Sequence, residues 1–181
     1  MDTIGDEIEE FLAGQRSSHK ENRILATIMF TDIVGSTERL ISSGDEAWRQ
    51  LLARHNAIVR RELSRYQGRE VKTLGDGFMV VFDGPGRAVR CASAIVEATR
   101  SIGLVVRVGL HSGECEVDGH DVVGIAVHIA ARVTSEAGPG EVLASRTVKD
   151  LVIGSDLRFL DRGKRMLKGL DAPWNLFALA K

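Results

Sequence analysis

The stretch LATIMFTDIVGST, residues 25 to 37, changes character at Asp32. Residues 25 to 31 have the apolar and β-branched composition of a buried strand. A carboxylate follows at the tip of that strand, and then a Gly-Ser-Thr turn at residues 35 to 37. Because a charged group at the end of a buried element needs a compensating partner, the stretch raises the question of what Asp32 faces.

The bulk composition indicates one globular domain. Of the 181 residues, 44% are hydrophobic and 27% are charged, and the net charge is -1, which favours neither nucleic acid nor an anionic membrane as partner. No apolar run approaches the roughly 20 residues of a membrane span. Cys91 and Cys115 lack metal-ligand spacing, which predicts buried, reduced thiols in a cytoplasmic protein. Residues 1–23 have the composition of a tether or linker, so we expect the folded domain over 24–181.

Hydrophobic periodicity predicts an α+β fold. Apolar residues recur at helical spacing from 36 to 66, with a break before Asp45 as the N-cap of a second helix. The segment 69–82 predicts a hairpin around Asp76-Gly77, because Asp-Gly between apolar runs favours a type I′ turn. Helix, strand, helix, strand and a closing hairpin follow. This order predicts a ferredoxin-like βαββαβ core with helices on one face, and a C-terminal extension.

Asp32 and Asp76 are expected at one edge of that sheet, because strand 1 is central and lies beside the hairpin. Paired carboxylates suit a hard cation such as Mg²⁺, and a glycine turn that opens a helix suits phosphate. Together they indicate a nucleoside triphosphate with its metal ions. The residues alone leave simpler interpretations open. Asp76 is also an ordinary hairpin residue, Asp32 a turn or cap residue, and Ser36 and Thr37 ordinary N-caps.

Four segments resemble, in order and spacing, the motifs of class III nucleotidyl cyclase catalytic domains. They are FTDIVGST (30–37), VKTLGDGF (71–78), GLHSGE (109–114) and DVVGIAVHIAARV (121–133). The resemblance runs from about residue 24 to the end and is closest to the bacterial, actinobacterial-type branch. It implies the nucleotidyl cyclase fold and conversion of a nucleoside triphosphate to its 3′,5′-cyclic monophosphate and pyrophosphate. It also implies two domains packed head to tail with active sites built across their interface.

The same resemblance implies the metal and phosphate ligands. Asp32, Asp76 and the carbonyl group of Ile33 would bind two divalent ions, Mg²⁺ or Mn²⁺, which assist attack of the ribose 3′-hydroxyl on the α-phosphorus. Backbone amides of the turn after Asp32 would cradle the phosphates, namely those from Ile33 through Gly35, Ser36 and Thr37.

The purine would be read by the partner chain of a homodimer. Lys72 and Asp121 match the family's purine-reading positions. A lysine donates to ring N1 of adenine and an aspartate accepts from its exocyclic amine, whereas guanine presents the opposite groups. The resemblance therefore favours ATP and an adenylyl cyclase.

Three further positions match residues that act on phosphate and ribose. Arg132 matches the arginine that stabilises charge on the transferring phosphate, and Lys168 the lysine that holds the terminal phosphates. His128 stands where many members carry an asparagine that orients the ribose ring oxygen. Without the resemblance, all three would be solvated or satisfied side chains. His111 is expected to be structural rather than a general base.

The sequence keeps other functions open. Substitution at His128 suggests a non-catalytic cyclase-like module that binds nucleotide or only dimerises. A guanylyl or mixed-specificity cyclase is a second alternative. A third is another ferredoxin-like nucleotide enzyme such as a diguanylate cyclase, although the Gly-Gly-Asp/Glu-Glu-Phe hairpin of that family is absent.

Overall fold

A computed structural model describes residues 22–180 of the chain. The tether predicted over residues 1–23 lies outside the described residues except for its last two. The elements, in chain order, are β1 (Arg23–Ile33), α1 (Ser36–Ser43), α2 (Asp45–Tyr66), β2 (Arg69–Leu74), β3 (Gly77–Phe82), α3 (Pro85–Arg100), β4 (Val106–Asp118), β5 (Asp121–Val123), α4 (Ile125–Glu136), β6 (Val142–Ser145), α5 (Arg146–Leu151), β7 (Phe159–Met166) and β8 (Pro173–Leu179).

The strands form one mixed sheet in the order β2-β3-β1-β4-β6-β8-β7, with β5 paired to β4. Strand β1 lies between β3 and β4 and is antiparallel to both. Strands β4 and β6 are parallel. The α+β class, the βαββαβ order and the central strand beside the hairpin are therefore confirmed, and β6 to β8 form the C-terminal extension.

Both faces of β1 are apolar, and helices cover each of them. Met29 and Ile33 belong to a core cluster with α2 and α3, while Ile28 and Phe30 belong to a second cluster with α4. The expectation of helices on one face only was therefore wrong. The physical reason is that alternate side chains of a strand point to opposite faces, so a strand apolar on both sides must be covered on both.

The β2–β3 hairpin is held against the end of β1. A Cβ atom on Gly77 would lie 2.2 Å from the carbonyl oxygen of Thr31, so the two backbones meet where a side chain would stand. The hydroxyl of Thr31 also accepts a hydrogen bond from the amide of Phe78 at 3.0 Å. Since Gly77 is the first residue of β3, this contact places Asp76 next to the C-terminal end of β1.

The hairpin turn differs from the predicted type. Its two central residues are Gly75 and Asp76, and Gly75 has a φ of 66° while Asp76 is not among the residues with positive φ. Positive φ at the first central position alone is the pattern of a type II′ turn, so the type I′ prediction was wrong. Glycine follows Asp76 because of the close approach to β1, which a short-range pattern does not reveal.

The break between the first two helices is confirmed, but its cap is not the predicted one. Gly44 is the N-cap of α2, Asp45 is its first residue, and no side chain bonds the free amides there. The sequence patterns also missed β5 and α5, which have 3 and 6 residues. Elements this short contain too few residues to display a period.

We expect Gly77→Ala to destabilise the domain strongly. The added methyl group meets a backbone oxygen that cannot move without breaking the pairing of β1 with β3, and such overpacking costs about 1–3 kcal/mol or more. The measurement is the free energy of unfolding from urea denaturation.

Gly86→Ala is the matched control, because nothing lies within 4 Å of a Cβ atom at Gly86 in the first turn of α3. Its unfolding free energy should stay within about 1 kcal/mol of the wild-type value. Equal stability of the two variants would contradict the proposed close approach.

Candidate functional site

Asp32 is paired with a cation of its own chain. It lies opposite Arg107 of β4 in the strand register, and the Nε and Nη2 atoms of Arg107 lie 2.7 and 2.6 Å from its Oδ2 atom. The side chains are 33% and 34% exposed, so the pair is reachable from solvent. Sequence reasoning missed Arg107, although a cation inside the apolar run LVVRVGL was a usable signal.

Asp76 has one buried carboxylate oxygen. The residue as a whole is half-buried, but its Oδ2 atom is buried and finds no hydrogen-bond partner among residues 22–180. Asp76 and Asp32 lie at the same end of the sheet. Thr31 pairs with Phe78, Asp32 follows Thr31, and Asp76 precedes Phe78 by two residues on the antiparallel strand. The two carboxylates predicted to meet at one edge thus lie at one edge.

His55 of α2 is a further titratable residue beside this end of the sheet. Its side chain is fully buried, its Nδ1 atom lies 3.0 Å from Oδ1 of Asn56, and its ring centroid is 5.9 Å from that of Phe78. Burial lowers the pKa of His55, while the hydrogen bond with Asn56 and the charge of Asp76 act in the opposite direction. A histidine within the apolar stripe of the predicted helix was the available signal.

The donor set at Asp32 and Asp76 fits a hard divalent cation. The residues that the structure describes include no group of three His, Cys, Asp or Glu side chains able to hold a metal ion. Two carboxylates, the carbonyl of Ile33, water and phosphate oxygens are nevertheless the kind of shell that Mg²⁺ uses when it binds together with a nucleotide. The site is therefore suited to a metal that arrives with phosphate, rather than to one caged by protein.

After the turn that follows Asp32, the first amides of helix α1 have no capping side chain. Gly35 adopts φ 69° and ψ 30° and is the N-cap of α1, and no side chain caps the free amides. The alternative of Ser36 and Thr37 as N-caps is thus wrong. Uncapped amides and the positive end of the helix dipole suit a phosphate group, although Glu38 in the same turn adds a negative charge.

Lys72 and Asp121 bind each other within one chain. The Nζ atom of Lys72 donates to both carboxylate oxygens of Asp121, at 2.9 and 2.7 Å, and each side chain is 42% exposed. This hydrogen bond, followed by one from the amide of Val122, lowers the pKa of Asp121. The two predicted purine-reading residues are therefore brought together, with a donor and an acceptor side by side.

The two ion pairs are attached to opposite ends of β4. Arg107, which holds Asp32, is the second residue of the strand, whereas Asp121 follows shortly after its last residue, Asp118. One chain thus presents the two halves of the predicted site at different places along its longest strand.

The remaining predicted residues stand apart from both carboxylates. His128 is exposed and Arg132 half-buried, one turn apart on α4, and Lys168 is exposed between β7 and β8. In the part of the chain that the structure describes, no hydrogen bond or ion pair joins any of them to Asp32 or Asp76. Their cationic and imidazole groups are free to meet a ligand.

His111 is a structural residue. It is buried, its Nδ1 atom lies 2.7 Å from the hydroxyl of Ser145, and Trp174 packs edge-on at 5.5 Å. Burial lowers the pKa of His111 to about 4, so the ring is neutral at physiological pH.

A mixed sheet with helices on both faces, two carboxylates at one end and an open helix start after one of them defines the class as an α+β domain. Comparison with known proteins gives the family. Residues 19–180 match the family described as Adenylate and Guanylate cyclase catalytic domain, so the chain belongs to that family.

Individual relatives agree with this assignment. The chain is 30% identical over 164 residues to a protein named Putative adenylate cyclase 3 of Rhizobium meliloti, a match that covers 86% of the chain and 28% of that relative. The fold is similar to that of the adenylyl cyclase CyaB from P. aeruginosa, with a TM-score of 0.80, 24% identity, and coverage of 88% and 95% of the two chains. It is also similar to the guanylate cyclase domain of RhGC from Catenaria anguillulae in complex with GTP, with a TM-score of 0.78, 20% identity, and coverage of 86% and 96%.

We expect the burial of His111 to make the domain acid-sensitive. Its pKa is about 4 in the folded chain against an ordinary value of 6.5, so the unfolded chain binds the proton first as the pH falls. The stability contributed by the neutral ring is present above pH 6.5 and is lost toward pH 4, at up to about 1.4 kcal/mol per pH unit.

The direct measurement is an NMR titration of the His111 ring, with a midpoint near pH 4. A His111→Gln variant lacks this contribution, so its stability should fall less steeply over the same range. A His111 midpoint near 6.5 would contradict the prediction.

Proposed function

We propose that the chain is an adenylyl cyclase that converts ATP to 3′,5′-cyclic AMP and pyrophosphate, at sites shared across a head-to-tail homodimer. Family membership supports the cyclase reaction. The observation that favours ATP over GTP is the Lys72–Asp121 pair, which offers one donor and one acceptor a single hydrogen bond apart.

Adenine matches this pair because the base has an acceptor at N1 beside a donor amine. The ammonium group of Lys72 donates to N1, and the carboxylate of Asp121 accepts from the amine. Guanine has an N–H and a carbonyl oxygen in those places. The Lys72 ammonium would then face a donor and the Asp121 carboxylate an acceptor. A binding site discriminates strongly against a base that leaves its polar groups unpaired in this way. Lys72 and Asp121 bond each other in this structure, so adenine must replace the present partner of each residue when it binds.

Asp32, Asp76 and the Ile33 carbonyl would hold two divalent cations, Mg²⁺ or Mn²⁺. When bound, these ions would ease deprotonation of the ribose 3′-hydroxyl and neutralise charge on the phosphates. Arg107 keeps the carboxylate of Asp32 in one orientation, since both of its donors engage the same oxygen, Oδ2.

The chain's own cations and amides would bind the triphosphate. The uncapped amides of Gly35, Ser36 and Thr37 face it from the start of α1. Arg132 offers a planar guanidinium that contacts two phosphate oxygens at once as charge develops on them, and Lys168 a point charge for the terminal phosphates. His128 donates one hydrogen bond to the ribose ring oxygen in the role an asparagine amide has elsewhere in the family.

The position of the two ion pairs at opposite ends of β4 supports a head-to-tail homodimer. Head-to-tail packing brings the Asp32 end of one chain to the Lys72 end of the other, so two equivalent sites form about a two-fold axis. No helix among residues 22–180 is long and apolar enough to cross a membrane. The two cysteines are buried and form no disulfide, which fits a reducing cytoplasm.

Turnover of ATP and GTP, measured with Mn²⁺ over a range of protein concentrations, tests the proposal. We expect cyclic AMP from ATP, and a rate that rises faster than linearly with concentration while dimers form. An Asp32→Ala variant provides the background. Preference for GTP would contradict the assignment of the purine pair, and no product from either nucleotide would leave the chain a non-catalytic module.

Mixing two inactive variants tests the shared site. Asp32→Ala removes a metal ligand and Lys72→Ala a purine ligand, and in the mixed dimer one site contains neither change. Equimolar mixing should therefore restore about a quarter of the wild-type activity, because half of the dimers are mixed and each has one intact site.

A mixture of Asp32→Ala with Asp76→Ala is the matched control. Both changes fall in the same half of the site, so every mixed dimer lacks a metal ligand in each site and activity should stay at background. Equal rescue in both mixtures, or no rescue in either while the chains still dimerise, would contradict the shared-site arrangement.

A further inference from the structure

Two buried polar atoms near the proposed metal site have no partner. Oδ2 of Asp76 and Nε2 of His55 are both buried, and neither makes a hydrogen bond within residues 22–180. A buried polar group without a partner costs about 1–3 kcal/mol, so native proteins keep few of them. Glu62 provides the one other such atom in the described residues, and that carboxylate already bonds Arg61 through its second oxygen.

The surroundings of His55 leave Nε2 as its available nitrogen. Nδ1 donates to the side-chain oxygen Oδ1 of Asn56 at 3.0 Å, so Nε2 of the neutral ring is an acceptor, and the side chain is fully buried in the core. The ring packs on Phe78, which is two residues beyond Asp76 and begins the paired part of β3. The negative charge of Asp76 acts to raise the pKa of the His55 imidazole, against the larger effect of burial.

Burial also separates the roles of the two oxygens of Asp76. A hydrated cation that arrives with nucleotide comes from solvent, so it cannot meet the oxygen that is enclosed by protein. Oδ2 therefore needs a partner other than the cation, such as an enclosed water held by a neighbouring side chain, and Oδ1 is the oxygen left for the cation. Carboxylates that bind metals are themselves held by further hydrogen bonds, and loss of such a bond weakens metal affinity.

We propose that His55 is the positioning residue of Asp76: one ordered water donates to both Nε2 of His55 and Oδ2 of Asp76, and this bridge turns Oδ1 toward the divalent cation. This rests on the metal site of the proposed function. It assigns to helix α2 a part in the site that lies outside the four sequence motifs, since none of them includes His55.

The test compares two amide replacements of His55 whose side chains differ in length. In His55→Gln the side-chain amide reaches the position of Nε2, whereas in His55→Asn it reaches only that of Nδ1. Mn²⁺ affinity is measured as binding of the Mn²⁺ complex of 3′-deoxy-ATP, which lacks the attacking hydroxyl, by isothermal titration calorimetry on protein whose folding is checked by circular dichroism. We expect the Gln variant to stay near the wild-type Kd and the Asn variant to bind about 10- to 100-fold more weakly.

Two controls separate positioning from stability and from the metal site itself. Val59→Ala removes packing from the same helix, where Val59 is fully buried in the core, and should lower the melting temperature without changing the Kd for Mn²⁺. Asp76→Asn removes a proposed ligand and should weaken binding at least as much as His55→Asn.

The outcomes are distinguishable. If Asp76→Asn weakens Mn²⁺ binding but His55→Asn and His55→Gln bind like Val59→Ala, the positioning role of His55 is wrong and the metal site stands. If the wild type and Asp76→Asn bind Mn²⁺ equally, the metal site of the proposed function fails, and the role of His55 fails with it.

Discussion

The close approach of Gly77 to the carbonyl oxygen of Thr31 is the constraint on which the site depends. No side chain fits between these two backbones, because a Cβ atom would lie 2.2 Å from that oxygen. The contact seats the hairpin turn against the end of β1, so Asp76 and Asp32 share one edge of the sheet. Each aspartate alone is an ordinary turn or strand-end residue, and this backbone contact makes them a pair.

Two carboxylates of the proposed site form ion pairs with cations of the same chain. Arg107 holds Asp32, and Lys72 holds Asp121, both at hydrogen-bonding distance and both within reach of solvent. These pairs satisfy Asp32, Lys72 and Asp121, whereas Oδ2 of Asp76 makes no hydrogen bond within residues 22–180. Binding of the base then exchanges the Lys72–Asp121 contact for new ones, which lowers net affinity while it preserves specificity.

Much of the fold was predictable from the sequence because its elements have clear periods. The seven apolar and β-branched residues before Asp32, the helical repeat that ends at Tyr66 and the hairpin near Asp76 all appear where the pattern placed them. The predictions failed where a residue is required by a contact with a distant part of the chain. Gly77 follows Asp76 because of β1 and not because of a type I′ turn, and α4 covers a face that local periodicity could not assign to any helix.

The sequence by itself determined the family, the order of the elements and the residue types that suit metal, phosphate and adenine, because these are carried by short motifs and local periods. Only the tertiary structure decided which side chains contact each other. Strand register set Arg107 opposite Asp32, the β4–β5 turn brought Asp121 to Lys72, and the packing of α2 placed His55 against Phe78, two residues from Asp76. Contacts between residues far apart in the chain depend on register and packing, which no local pattern of side chains specifies.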